Sequence, residues 1–201
     1  MKNLAPTDVA INEVIRERWS PRAFSDKPVA PEILRSLFEA ARWAPSSSNL
    51  QPWAYIVATK DDQENFENVL GTLVEFNAGW AQHAPVLALS VAQVKNPKDG
   101  ALNRHAFHDV GSASAQLTLQ AVSLGLLVHQ MAGLDPNTAR ETFDIPPDWE
   151  AVAALAIGYP GDPASLPEKL REREVAPRVR KPLAEFVITG EWGHTAPFVS
   201  K

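Results

Sequence analysis

The stretch RERWSPRAF, at residues 16–24, indicates both a fold and a binding site. Arg18, Ser20 and Arg22 follow a short apolar helical pattern at intervals of two residues. Alternate side chains of an extended segment point the same way, so two guanidinium groups and a hydroxyl would face one point. A phosphate group prefers bidentate arginine donors beside a neutral donor. The alternative is a solvated helix end with surface arginines, and the spacing alone favours that alternative.

A second polar stretch, PSSSNLQPW at residues 45–53, joins a predicted helix to a predicted strand. It places three hydroxyls, an Asn and a Gln between two prolines. Such side chains can donate to and accept from a flat heterocycle with several ring oxygens and nitrogens. An ordinary polar turn with capping serines is an equally good interpretation of this stretch.

The composition limits the classes of function. The 201 residues suit one domain, and the absence of cysteine excludes disulfides, thiolate metal sites and cysteine nucleophiles. A net charge of −5 argues against nucleic acid as a partner. No apolar run approaches the ~18 residues that a membrane span requires, so we expect no membrane partner and a cytoplasmic location.

The apolar periodicity predicts strands and helices in alternation without strict βαβ spacing. Helices are predicted over residues 8–18, 31–44, 62–76, 103–126, 136–143 and 167–174. The predicted strands cover residues 54–59, 85–94, 127–131, 151–157 and 183–189, the last as an edge strand of this sheet or of a partner's. We therefore expect an α+β protein.

Further segments follow the first two in an order that resembles the nitroreductase family of flavoproteins. They are Asn77 with Trp80 and Ala84-Pro85, HQMAGL at 129–134, AIGYP at 156–160 and the basic PRVRKPL at 177–183. The resemblance covers nearly the whole chain. It implies a nitroreductase-like α+β fold, with a central, mostly antiparallel sheet flanked by helices. It also implies a single domain over residues 1–201, in which residues 162–201 form an extension that wraps the partner subunit of an intertwined homodimer.

The resemblance further implies FMN as the cofactor, with a role for each matching residue. Arg18, Ser20, Arg178 and Arg180 would hold the phosphate and ribityl end, and Trp19 would contribute mainly through its backbone. Arg22 would supply a cation at the pyrimidine edge of the flavin, where negative charge develops on reduction. Asn77 would hydrogen-bond the same edge.

The remaining implied contacts lie around the flavin ring. Pro45, Ser46, Ser47 and Asn49 would reach it from the other subunit. Gln130, Met131, Ala132 and Gly133 would also contact the cofactor, with the backbone amides of the last three facing N5 and O4. The substrate pocket would include Trp80, Asp109 and His129. Some relatives carry a Lys in place of Trp80 and an acid in place of Ala132, differences that bear on redox potential and substrate preference.

Several patterns do not indicate a site. His105 and His108 lie three residues apart beside Asp109, but this group lacks a clear third metal ligand, so no metal is expected. The sequence has no GxGxxG or GxxxxGK[ST] motif. Nicotinamide would therefore bind by stacking over the flavin, and no side chain is expected to act as a general acid.

The predicted function is FMN-dependent transfer of electrons from NAD(P)H to a small organic acceptor by a ping-pong mechanism. The acceptor could be a nitroaromatic, a quinone, an activated alkene or an aldehyde. One alternative is an FMN sensor or sequestering protein without turnover. Another is a relative that consumes its flavin or removes halogen.

Overall fold

A four-stranded sheet lies at the centre of the protein, whose computed structural model describes residues 3–199. The strands are β1 (Trp53–Thr59), β2 (Val86–Gln93), β3 (Leu127–Met131) and β4 (Trp149–Gly158). They lie in the order β1-β2-β4-β3, and every neighbouring pair is antiparallel. The predicted α+β class with a mostly antiparallel central sheet is confirmed.

Seven α-helices accompany the sheet within residues 3–199. They are α1 (Glu13–Glu17), α2 (Pro31–Arg42), α3 (Gln63–Gly71), α4 (Glu75–Ala81), α5 (Ala106–Ser123), α6 (Pro136–Phe143) and α7 (Glu168–Val175). Proline occupies the first turn of α2 and α6, where its missing N–H costs nothing. None of these helices is both long and apolar enough to cross a membrane.

Helices cover both faces of the sheet. Leu87 and Leu89 of β2 pack with residues of α3, α4 and α6 on one face. Val86 and Ala88 pack with α2 and α5 on the other. Because both faces of β2 are buried, its sequence is an almost unbroken apolar run rather than an alternating one.

The helix predicted over residues 62–76 is instead two helices, and this prediction was wrong at its centre. The chain leaves α3 at Thr72, whose carbonyl accepts from the Asp135 N–H at 2.8 Å. Leu73 then forms a bridge with Leu134, and the Val74 N–H donates to the Gly133 carbonyl. Val74 is consequently exposed rather than inward-facing. These long-range backbone bonds outweigh the local helical propensity and bring α4 against the loop after β3.

Two predictions at the ends of the chain also need correction. The first helix spans only Glu13–Glu17, because the Asn12 side chain caps the Val14 N–H and begins the helix there. Residues 183–189 do not form an edge strand of this chain's sheet. They contain a 3₁₀-helix at Leu183–Glu185 and a single bridge between Ile188 and Thr195. Gly190 and Gly193, both at positive φ, turn this segment back on itself, so its backbone bonds are local.

Candidate functional site

The two ends of the chain meet at a cluster of arginines. Arg18 caps the end of α1, and its guanidinium lies 3.4 Å from the Ser20 hydroxyl oxygen. Arg178 reaches the N-terminal segment, where it donates to the carbonyls of Asn3 and Arg16 at 2.8 and 3.1 Å. A cavity of about 210 Å³ lies among them. Its lining includes six of the predicted cofactor residues: Arg18, Trp19, Ser20, Arg22, Arg178 and Arg180.

Positive charge accumulates at this cavity. Partial burial lowers the pKa of Arg18 from its usual value, and the nearby positive charge of Arg180 lowers it further. Burial and then the charges of Arg18 and Arg180 lower the pKa of Arg178. Among the described residues that line it, Glu174 alone carries a carboxylate, and this group accepts hydrogen bonds from backbone amides. The arrangement therefore favours an anion that offers several acceptor oxygens.

A larger, mainly apolar groove adjoins the arginines. It has a volume of about 620 Å³ and shares Arg18, Arg178 and Arg180 with the smaller cavity. Its walls come from residues 5–15 and 178–186. This groove was not predicted from the sequence. The sequence feature that could have indicated the groove is the set of apolar residues before and within α1. Two of them, Ile11 and Ile15, are exposed in the structure.

The chain after Arg18 is held firmly against the end of β4. Phe24 bridges Pro160, and the Gly161 N–H donates to the Ala23 carbonyl at 2.9 Å. A Cβ on Gly161 would lie only 2.5 Å from the Phe24 carbonyl carbon. The close approach explains why glycine occupies this position.

His129, on β3, lies next to this segment. One of its ring nitrogens, Nδ1, lies 2.8 Å from the Pro21 carbonyl oxygen, a distance at which Nδ1–H donates. Burial lowers the pKa of His129 to about 4; the Pro21 contact opposes this shift, and the charges of Arg22 and Arg18 add to it. The imidazole is therefore neutral near pH 7.

Trp80 packs its ring 4.6 Å from the His129 ring and is almost completely buried. Its indole N–H has no hydrogen-bond partner among the described residues. Because it lies inside the apolar core with Phe24, Trp80 can influence a pocket only through its neighbours, of which His129 is one.

A second predicted group forms at the end of β3. The Asn77 side chain donates to the Gly133 carbonyl at 3.1 Å, which ties α4 to the predicted backbone-donor loop at residues 131–133. Met131 is buried and Ala132 is exposed. The Gln130 side chain turns towards α5, where it donates to the Thr118 hydroxyl at 3.1 Å.

The serine turn, residues 45–51, has an unusual backbone. Ser48, Asn49 and Gln51 all adopt left-handed conformations, with φ of 52°, 53° and 50°. Such conformations are costly for residues other than glycine and often occur at functional sites. The Ser47 N–H donates to the buried Asp109 carboxylate at 3.0 Å. Asp109, predicted for the substrate pocket, thus anchors the turn to α5 within this chain.

The predicted residues therefore form three groups. One surrounds the arginine cavity, one lies at the loop after β3, and the third is the serine turn. The arginine cavity connects to His129 through Pro21, and Asn77 joins the loop after β3. Pro45, Ser46, Ser47 and Asn49 line neither of the two cavities at the arginines. Glu174 was missed, because its partners Arg22 and Ala23 lie about 150 residues earlier in the sequence. Residues 3–199 contain no group of three or more His, Cys, Asp or Glu side chains that could hold a metal ion.

Comparisons with known proteins give a consistent result. The sequence profile described as the nitroreductase family matches residues 15–159. A solved structure described as an oxidoreductase containing FMN is 34% identical, with a TM-score of 0.90, and the match covers 97% of this chain and 99% of that one. An uncharacterised 15.4 kDa protein of Mycolicibacterium smegmatis is 37% identical over 65% of this chain and 86% of its own length.

A Stenotrophomonas maltophilia protein is 27% identical over 78% of this chain and 88% of its own length. It carries the provisional name NADH dehydrogenase/NAD(P)H nitroreductase. The profile match spans well over half of the chain, and the FMN-containing structure matches nearly all of the fold. This protein belongs to the nitroreductase family.

Proposed function

We propose that this protein binds FMN and uses it to carry electrons from NAD(P)H to a small organic acceptor. The acceptor class is a nitroaromatic, a quinone, an activated alkene or an aldehyde, and the nicotinamide and the acceptor bind in turn. FMN, when bound, would supply the chemistry of hydride and electron transfer. The observation that carries the proposal is the convergence of Arg18, Arg178 and Arg180 on one cavity.

The charges at this cavity fit the FMN phosphate. A phosphomonoester carries about two negative charges near pH 7 and three acceptor oxygens. The guanidiniums of Arg18, Arg178 and Arg180 supply charged donors, and the Ser20 hydroxyl supplies a neutral one. A phosphate group prefers this combination of donors. Burial, and then repulsion from neighbouring arginines, lowers the pKa of Arg18 and of Arg178, and a bound anion would offset both effects.

Arg22 and the loop after β3 would serve the flavin ring. Arg22 lines the arginine cavity, and its Nε is buried without an acceptor among the described residues. Its positive charge would stabilise negative charge on the reduced flavin. The Asn77 side chain donates to the Gly133 carbonyl. This hydrogen bond would hold the backbone amides of residues 131–133 in a constant position beside the flavin ring.

The serine turn would act on the cofactor of a second subunit. It lines neither arginine cavity of its own chain, yet it is held in a strained conformation by Asp109. The C-terminal extension carries large apolar side chains that are mostly exposed, among them Trp192 at 94% and Phe198 at 82%. We propose that both features face a partner in a homodimer.

Reduction of the bound flavin tests the proposal. NADH or NADPH should bleach the yellow protein under anaerobic conditions, and an added quinone or nitroaromatic should restore the colour over repeated cycles. Bound FMN that neither nicotinamide reduces would contradict the enzyme and support an FMN sensor. Loss of the flavin itself during turnover would indicate a flavin-consuming enzyme, and release of halide from a halogenated substrate would indicate a dehalogenating one. A cytoplasmic location stays a prediction, which cell fractionation would test.

A further inference from the structure

Glu174 is a buried charge on α7, a helix whose other charged residues are all exposed. It is the only buried residue of α7, and its side chain is 0% exposed. Burial of a carboxylate is costly unless hydrogen bonds and an opposite charge compensate for it. Its contacts therefore indicate why an acid stands at this position.

The contacts of Glu174 converge on the RERWSPRAF stretch. Its Oε1 accepts from the backbone N–H groups of Arg22 and Ala23, at 2.8 and 2.9 Å. Its Oε2 also lies 3.0 Å from the Arg22 backbone nitrogen and 3.9 Å from the Arg22 guanidinium. One carboxylate thus holds both the backbone and the charge of Arg22.

The electrostatics of Arg22 depend on this carboxylate. Burial lowers the pKa of Arg22, Glu174 opposes that effect, and Arg173 adds to it. The guanidinium remains positive, but part of its field is offset by a negative charge from the C-terminal extension. Any ligand beside Arg22 experiences the sum of the two charges.

We propose that Glu174 is a positioning residue that fixes Arg22 at the flavin site and, by offsetting its charge, makes the bound flavin harder to reduce. This inference rests on the proposed function. It assigns to α7 an effect on the reduction potential in addition to any role in the dimer. Removal of the negative charge should favour the anionic reduced flavin, and removal of the cation should disfavour it.

The test compares charge-neutral variants of the FMN-loaded protein. Glu174→Gln retains an oxygen that can accept from both backbone amides but loses the charge. Its reduction potential, measured by equilibration with a reference dye, should be more positive than that of the wild type. Arg22→Gln should shift the potential in the negative direction. Glu172→Gln, an exposed neutralisation on the same helix, is the matched control and should leave the potential unchanged.

The outcomes separate this inference from the proposed function. Thermal unfolding of each variant without FMN shows whether the fold is retained, and Glu174→Asp, which keeps the charge, should show a potential near that of the wild type. Equal potentials in the wild type, Glu174→Gln and Arg22→Gln would overturn the inference while FMN binding stands. A wild-type protein that holds no FMN would overturn the proposed function and this inference with it.

Discussion

Five arginines line the cavity, and three of them, Arg18, Arg178 and Arg180, differ in how firmly the chain itself holds them. Arg178 donates to two carbonyls of the N-terminal region, so it also links the two ends of the chain. The Arg18 side chain donates to the nearby Ser20 hydroxyl, and Arg180 is exposed and donates to its neighbour Val179. Arg18 and Arg180 are therefore the residues whose removal should affect ligand binding with the least effect on the fold.

His129 should make the stability of the protein dependent on acid pH. Its pKa is about 4 in the folded chain, against 6.5 for an ordinary histidine. The unfolded chain therefore takes up a proton first as the pH falls. The neutral imidazole therefore contributes fully to the free energy of unfolding above about pH 6.5. This contribution is lost as the pH falls towards 4, and the loss is at most about 3 kcal/mol.

Urea unfolding at pH 7.5 and pH 4.5, with FMN at the same concentration throughout, measures this loss. The wild type should lose more stability between the two values than His129→Gln does. His83→Gln removes an exposed imidazole and serves as the control. Equal losses in the wild type and His129→Gln would contradict the assignment.

For single residues, the sequence was informative where a side chain acts through its own chemistry. The spacing of Arg18, Ser20 and Arg22 indicated that they could converge, and the structure places all three at one cavity. Glu174 and the anchoring contact of Asp109 could not be predicted this way. Their partners lie about 150 and 60 residues away, and only the folded chain brings them together.

The serine turn is the part of the described chain with the clearest backbone strain. Ser48 has a φ of 52°, a conformation that a β-branched residue adopts at a high cost. Ser48→Val should therefore destabilise the protein by about 1–2 kcal/mol, while Ser48→Gly should change its stability by less than about 1 kcal/mol. Chemical denaturation of both variants measures the difference. A Val variant as stable as the Gly variant would show that the turn is not held in this conformation.

An added side-chain atom should also destabilise the contact between the Arg18–Phe24 segment and the chain that follows β4. Gly161→Ala would place a methyl group against the Phe24 backbone, which cannot rotate away as a side chain can. We expect a loss of about 1–3 kcal/mol and weaker FMN binding. Calorimetric unfolding and flavin titration measure the two effects.

Gly79→Ala is the matched control. Gly79 lies in the middle of α4, and an added Cβ there meets nothing within 4 Å. That variant should gain up to about 1 kcal/mol, since alanine favours helix more than glycine does. If Gly161→Ala behaves like Gly79→Ala, the close approach at β4 does not constrain the segment.

Local sequence patterns predicted the helices and strands, except where contacts between distant residues determine the backbone conformation. The apolar run of β2 and the proline at the start of α2 predicted those elements closely. The interruption between α3 and α4 depends on bonds to residues 133–135, which periodicity cannot reveal. The segment at 183–189 has a strand-like composition, but the turn at Gly190 and Gly193 pairs it locally.

The exposed apolar extension and the separate serine turn together argue for a second subunit. We expect light scattering to give about twice the mass of the 22.0 kDa chain. Changing Trp192 and Phe198 together to serine should weaken the dimer and, with it, FMN retention. Both side chains are largely exposed in the single chain, so a loss of monomer stability is not expected. A monomeric wild-type protein that retains its flavin fully would contradict the proposed arrangement.

We propose that guanidinium groups from both ends of the chain hold the FMN phosphate. The most direct test titrates the flavin-free protein with FMN and with riboflavin, which lacks the phosphate. FMN should bind at least about 100-fold more tightly, since hydrogen bonds to charged groups contribute about 1.5–3 kcal/mol each. That preference should fall at least about tenfold in Arg18→Ala/Arg180→Ala, in which Arg178 remains, and should persist in Arg171→Ala, which removes an exposed arginine of α7. Equal affinity of the wild type for FMN and riboflavin would contradict the account.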